Sequence, residues 1–210
     1  MLYGRPTEPG FSCARCGSDR HRFDHLSTAY SYLLGLYLGD GCISKHPREV
    51  FRLRIALDVK YPGIVEECVA AMQAVVPWNK VHAQLTPKNY VEVHAYSKSW
   101  PCLFPQHGPG KKHERRILLT KWQRDLVDLT PELLLRGLIH SDGCRFINTG
   151  SYGWRCPRYA FSNLSDDIKQ IFCRTCDQLG LHWTVAPPKS VYVSRKADVA
   201  RLDEFVGPKR

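Results

Sequence analysis

Asp40 and Asp142 are the residues whose type and setting point most directly to chemistry. Each closes an apolar nine-residue stretch, Leu33 to Gly41 (LLGLYLGDG) and Leu135 to Gly143 (LRGLIHSDG), and each is followed by glycine. A helix is already negative at its C-terminus and disfavours an anion there. Two carboxylates at two such ends call for a cation between them, and hard divalent cations take carboxylate oxygens and helix-end carbonyls as ligands. The expected ligands are thus Asp40 and Asp142 with the backbone carbonyls of Gly39 and Ser141. The bland alternative is an ordinary Asp-Gly turn with the glycine as C-cap. Recurrence of the pattern favours the metal.

The elements that must position these carboxylates are two buried helices. A segment apolar on nearly all sides must be covered on nearly all sides, and small residues four apart, Gly35 with Gly39 and Gly137 with Ser141, let two helices approach closely. The spacing predicts that the two segments pack on each other. Ser27 is the expected cap of a first helix over 28–39. Thr130-Pro131-Glu132 offers a cap, a first-turn proline and a first-turn acid for the second.

The chain has 210 residues, enough for one sizeable domain or two small ones. A net charge of +10, with pI ≈ 9.2, favours a polyanionic partner over a small-molecule substrate alone. Neither a long apolar run nor a signal peptide is apparent, so a soluble protein of the cytoplasm with no membrane partner is expected. Nine scattered cysteines fit a reducing compartment better than a disulfide framework.

Residues 1–26 read as a tail. It holds Cys13-x-x-Cys16 followed by His21 and His25, a spacing that could close around Zn2+ as a small knuckle or be a chance set of ligands on an exposed tail. Residues 111–127 read as a basic linker; 111–124 carry six basic residues and one acid, as a phosphate-contacting strap or as a solvated loop.

Between and beyond these stretches the chain replays itself. Strands are expected over 42–44, 50–58, 80–86 and 90–96, with a helix over 62–76 and a short one over 100–104. In the second copy strands are expected over 145–148, 158–163, 182–186 and 190–194, with helices over 165–179 and 197–206. Val81 lies 41 residues beyond Asp40, as Trp183 lies 41 beyond Asp142. Gly108-Pro109-Gly110-Lys111 is echoed by Gly207-Pro208-Lys209. The chain therefore divides into a first repeat over 27–110 and a second over 128–210.

Alternation in Val50–Asp58 gives one core face and one outward basic face. The outward strand faces and their turns offer Lys45, Arg48, Arg52, Arg54, His82, Gln84, Lys88 and Asn89 from the first repeat. The second offers Arg145, Asn148, Arg155, Arg158, Thr184, Lys189 and Tyr192, with Arg158 taken as the counterpart of Arg54. Lys111, Lys112, Arg115 and Arg116 come from the linker. Such ribbons fit the DNA major groove, where arginine reads guanine and glutamine or asparagine reads adenine. Each repeat would address one half-site, with Asp40 and Asp142 facing the middle of the duplex.

With one carboxylate per half for one cut per strand, the two motifs resemble those of the LAGLIDADG homing endonucleases in their single-chain, two-repeat form. Leu33, Gly35, Leu36, Asp40 and Gly41 fit the nine-letter pattern, as do Leu135, Gly137, Leu138, Ile139, Asp142 and Gly143; its earlier acidic position holds Leu38 and His140 instead. The resemblance implies an α+β fold: two pseudo-symmetric αββαββα repeats forming a saddle of antiparallel sheets over double-stranded DNA. It also implies a monomer that makes a double-strand cut in a long asymmetric site, using two or three Mg2+ ions shared at Asp40 and Asp142. Basic residues near such centres suggest Lys98, Arg195 and Lys60 as catalytic candidates. The competing readings are a DNA-binding regulator without cleavage, and an RNA maturase.

Overall fold

The computed structural model describes Leu26 to Gly207 together with Cys13, Cys16 and Lys209; of Ser151 only the backbone is described. His21 and His25 lie outside the described residues. The element order realises the repeat. The first copy is α1 (Ala29–Asp40), β1 (Gly41–His46), β2 (Val50–Asp58), α2 (Pro62–Val75), β3 (Val81–Leu85), β4 (Tyr90–Ser97) and α3 (Trp100–Leu103). After α4 (Lys121–Leu129) comes the second: α5 (Pro131–Asp142), β5 (Gly143–Thr149), β6 (Arg155–Ser162), α6 (Asp166–Gln178), β7 (Trp183–Ala186), β8 (Ser190–Val193) and α7 (Lys196–Phe205).

Each copy folds its strands into one antiparallel sheet, in the order β1-β2-β4-β3 and β5-β6-β8-β7. One face of each sheet supplies the core: Leu53, Ile55, Val93 and Ala95 in the first, Tyr159, Phe161, Val191 and Val193 in the second. α2 packs on α1 and α6 on α5 behind these faces.

α1 and α5 form the centre. Every residue of α1 from Tyr30 to Leu38 is buried, as an all-round apolar helix requires. The two helices run parallel, because their ends match. At the N-terminal ends Ser31 Oγ lies 2.7 Å from Thr130 Oγ1, and at the C-terminal ends a side chain on Gly39 would meet that of Ser141. Midway, a Cβ on Gly35 would lie 2.6 Å from the Leu134 carbonyl oxygen and one on Gly137 would overlap that of Tyr32. The backbones touch, as the small-residue spacing predicts.

The caps differ from expectation. Thr28 rather than Ser27 is the residue before α1, although the Ser27 hydroxyl accepts from Ala29 N–H at 3.3 Å. Thr130 makes no side-chain cap, its hydroxyl donating to Leu126 O at 3.1 Å and meeting Ser31. The glycine after each aspartate is not in the left-handed region of an ordinary C-cap. Gly41 and Gly143 have φ −86° and −109°, and a Cβ would press within 2.5 Å and 2.7 Å of the Cα atoms of Tyr37 and Ile139. Glycine is needed there because the chain turns from helix to strand directly against the helix's last turn.

The stretch read as a linker contains a helix. Thr120 and Gln123 form a reciprocal cap for α4, which buries Gln123 and Val127 and half-buries Trp122 and Leu126. Gln123 Nε2 donates to Tyr30 Oη at 2.7 Å, and Tyr30 donates to Leu103 O at 2.5 Å. On the other side Ile117 N–H donates to Asp167 at 2.7 Å. Residues between the repeats thus clip onto both. Among the described residues no helix is long and apolar enough to cross a membrane.

Candidate active site at the paired helix ends

Asp40 and Asp142 end α1 and α5 side by side and line a cleft of ≈ 470 Å³ with Cys42, His107, Lys112, His113 and Asn163. Parallel packing puts two negative helix ends and two carboxylates in one place, and the carboxyl groups respond. Partial burial of its carboxyl, and then the Asp142 charge, pushes Asp40 up to about 6, although one side of the residue remains open to water. Asp142 also rises by burial, opposed by a 2.6 Å hydrogen bond that it accepts from Asn163 Nδ2.

Two ammonium groups answer this charge. Lys112 donates to the last carbonyls of α1, at 2.5 Å to Tyr37 O, 3.0 Å to Leu38 O and 2.6 Å to Gly39 O, and its Nζ lies 5.2 Å from the Tyr37 ring centroid. Burial lowers its pKa to about 8, against the pull of Asp142 and Asp40. Lys209 is likewise lowered by burial and held up by Asp40, Cys144 and Asp142. The linker and the chain end thus deliver one lysine each.

Of the predicted metal ligands, Asp40 and Asp142 converge as expected. The Gly39 carbonyl is already taken by Lys112; the Ser141 backbone carbonyl, the other predicted ligand, stands in the last turn of α5, while the Ser141 hydroxyl turns back to Gly137 O and Leu138 O, both at 3.0 Å. The donor set suits a hard cation, since both side chains offer carboxylate oxygens to one cleft. Lys98 and Arg195 lie in the turns after β4 and β8, outside the cleft lining and outside the charges that act on Asp40 or Asp142. Lys60 pairs with Asp58 at 2.8 Å.

On the open face of the first sheet Arg54 stands in register with Cys42, His94 and His82, and Arg52 with Ser44 and Tyr96. Glu92 is buried among them. Arg52 forms a close ion pair with it, Arg54 lies at 3.6 Å and His94 Nδ1 at 3.4 Å. Gln84 is opposite Glu92. In the second sheet Phe146 stands opposite Arg158, and Tyr192 between Ala160 and Thr184. Register corrects one correspondence: Gly41 pairs Ile55 and Gly143 pairs Phe161, so Arg158 is the counterpart of Arg52, and Ala160 stands where Arg54 does.

Other predicted contacts fall elsewhere. Arg145 has the parity of the core face and makes a two-pronged pair with Asp203 of α7 at 2.7 and 2.9 Å. Lys45 pairs with Glu49 at 2.6 Å, and Arg48 has a left-handed backbone at φ 62° in the β1–β2 turn. Lys88 and Asn89 form the exposed β3–β4 turn, with Asn89 at φ 59°. Asn148 and Arg155 flank the β5–β6 turn, and Lys189 lies in the β7–β8 turn. Lys111 lies 3.6 Å from Glu114, Arg115 donates to Gly110 O at 2.7 Å, and Arg116 lies 3.6 Å from Asp167. Lys209 and Asn163 were missed as neighbours of the acids; the Gly-Pro-Lys echo was the only hint of the first, and no spacing signals the second.

His140, at the motif's variable position, is buried. Burial lowers its pKa to about 4, so the ring is neutral. Nε2 faces Val206 O at 3.1 Å and must carry the hydrogen, which leaves Nδ1 to accept from Tyr32 Oη at 2.8 Å.

No protein-family model matches the sequence, and no curated protein matches it. Solved structures do. The homing endonuclease I-DmoI, in complex with DNA and Mn, aligns over 89% of this chain and 99% of its own at 15% identity and TM-score 0.60. I-WcaI, bound to its DNA recognition sequence, covers 88% of this chain and 83% of its own at 15% identity and TM-score 0.54. The fold is that of the LAGLIDADG homing endonucleases. The N-terminal LAGLIDADG domain of DUF199/WhiA also shares it, over 91% of this chain and 85% of its own, at 13% identity and TM-score 0.51. Within this LAGLIDADG fold, α1 and α5 are the motif helices and the two sheets flank their acidic ends.

Proposed function

We propose that the protein is a site-specific DNA endonuclease that makes a metal-dependent double-strand cut in a long asymmetric site. The observation that carries this reading is the pairing of Asp40 with Asp142 at two touching helix ends, with Lys112 and Lys209 beside them. Basic side chains on the open sheet faces would hold the phosphate backbone and read base edges on either side. I-DmoI and I-WcaI, which share the fold, are seen bound to DNA, and by this reading the partner here is double-stranded DNA, which the net charge of +10 suits.

Asp40 and Asp142 would hold the divalent ions, Mg2+ by this reading. When bound, these supply the charge that activates water and stabilises the leaving oxygen. The chain's own residues do the rest. Asn163 orients the Asp142 carboxylate. Lys112, its hydrogens held by the last three carbonyls of α1, neutralises that helix end and would act on a developing phosphoryl charge in the cleft through its own charge alone.

A decisive test incubates the purified protein with a randomised duplex library and Mg2+ and sequences the cut ends. Recovery of one long site, with Asp40→Ala and Asp142→Ala binding but not cutting it, supports the reading. Wild-type cutting by either variant defeats it. One observation favours a second reading, a regulator that binds DNA without cleaving. The Lys112 ammonium already occupies the Gly39 carbonyl, leaving one helix-end oxygen fewer for a metal. Calorimetric titration with Mg2+ separates the two, because a pure binder takes up no ion between Asp40 and Asp142.

A further inference from the structure

Cys102 answers the question that the Cys13-x-x-Cys16 spacing raised. Its sulfur lies 3.7 Å from that of Cys13, and the sulfurs of Cys13, Cys16 and Cys102 all lie within 4.8 Å of one another. A disulfide would hold two sulfurs about 2.05 Å apart. Tetrahedral zinc with Zn–S bonds of about 2.3 Å sets its sulfurs about 3.8 Å apart. The Cys13–Cys102 distance is too long for a disulfide and matches two ligands of one ion, with the third sulfur within 4.8 Å of both.

The mounting of Cys102 is rigid. It sits in α3 between Trp100 and Leu103, both fully buried; Trp100 Nε1 donates to Ala95 O at 2.9 Å, and Leu103 O accepts from Tyr30. Cys102 is itself buried and Cys13 and Cys16 are half-buried. Burial, and then the two neighbouring thiols, raise the Cys102 pKa.

We propose that Cys13, Cys16 and Cys102 form a thiolate site for Zn2+ that fastens the chain ahead of α1 to α3. On binding, three thiols release their protons to solvent and three sulfur lone pairs bond the metal, with no change of oxidation state. The ligand set adds Cys102 to the Cys13 and Cys16 of the knuckle read from spacing, whose other two members, His21 and His25, lie outside the described residues. The site joins residues 89 apart in sequence and lies on α3, whose Leu103 carbonyl accepts from Tyr30 near the start of α1. It is independent of any reaction at the carboxylates.

The test uses the full chain, stripped with chelator under reducing conditions and titrated with Zn2+, then with Co2+. One tightly held ion per chain, a thiolate-to-cobalt charge-transfer band of three-sulfur intensity, and a rise in Tm on adding Zn2+ are expected. Cys102→Ser should weaken binding at least 100-fold and abolish the Tm rise, while Cys173→Ser on α6 binds as wild type. If Cys102→Ser fails to fold, the cobalt band of the wild type still counts the sulfurs. A two-sulfur band, undiminished affinity in Cys102→Ser, or a Cys13–Cys102 disulfide that persists in reductant would each overturn the site.

Discussion

The Lys112 ammonium lies 2.6 Å from the Gly39 carbonyl oxygen, so a residue of the connecting segment caps the helix that ends in Asp40. The cation meets the negative end of the dipole and holds the Asp40 carboxylate down against burial and Asp142. Lys112→Met should remove both effects. Cleavage under the proposed reaction should fall roughly 100-fold with DNA affinity little changed. Its acidic limb should move above that of the wild type, because the lost cation lets Asp40 rise further. Lys111→Met, exposed beside Glu114, should leave the limb where it is. Single-turnover rates against pH check this; an unmoved limb in Lys112→Met would refute it.

Carboxylates crowded at two helix ends should cost stability when no metal is present. The folded pKa of Asp40, about 6, exceeds the ordinary 3.8, so between those values the folded chain holds more protons than the unfolded one. Stability through this group therefore falls as pH rises across that window, and above it the full deficit remains. Asp40→Asn in chelator should melt higher than wild type at pH 8 and equally at pH 4. Divalent cation should raise the wild-type Tm and not that of the variant. Calorimetry at the two pH values decides, and equal melting at pH 8 would contradict the coupling.

His140 titrates with the opposite sign over a similar range. Its folded pKa is depressed to about 4 against the ordinary 6.5, so the unfolded chain binds the proton first. The stability it contributes is complete above pH 6.5 and is lost as pH falls toward 4, at about 1.4 kcal/mol per unit and roughly 3 kcal/mol in all. His140→Gln, able to keep a bond to Tyr32, should flatten this slope. Urea unfolding at intervals from pH 4 to 7 would show it; an unchanged slope would mean that other groups set the acid limit.

How much of this could be read from the sequence differs by element. The helix pair was legible because all-round apolarity and small residues four apart leave few other packings. The repeat followed from the 41-residue spacing. Arg158 was matched to the wrong arginine, since a strand's pairing register is fixed by the Gly41 and Gly143 contacts and not by its own composition. Arg145 reads as a free cation until Asp203, 58 residues away, claims it. α4 was hidden because its charges look solvated until Gln123 meets Tyr30. Cys102 could not be chosen among nine cysteines without knowing that α3 lies beside the first one.

Gly35 and Gly137 carry the strictest packing demand. Alanine in a helix is ordinarily better than glycine by about 1 kcal/mol. Here the added methyl meets backbone, Leu134 O at 2.6 Å from Gly35 and Tyr32 O from Gly137, and backbone cannot swing aside. The clash should win, and Gly137→Ala should destabilise the fold by about 3 kcal/mol or more. Denaturant midpoints check it, and a gain in stability would show that the helices can part at little cost.

Glu92 sets the charge of the first sheet's open face. Buried with Arg52, Arg54 and His94 around it, it cancels cationic charge on the surface proposed to meet DNA. Its counterpart in the second sheet is Ser190, since His94 and Tyr192 are the equivalent positions two residues on. Glu92→Gln leaves the side chain's size and much of its hydrogen bonding in place and frees one positive charge. Non-specific duplex affinity should rise, and the slope of log K against log salt should steepen by about 1. A shallower or unchanged slope would mean that this face does not meet phosphate.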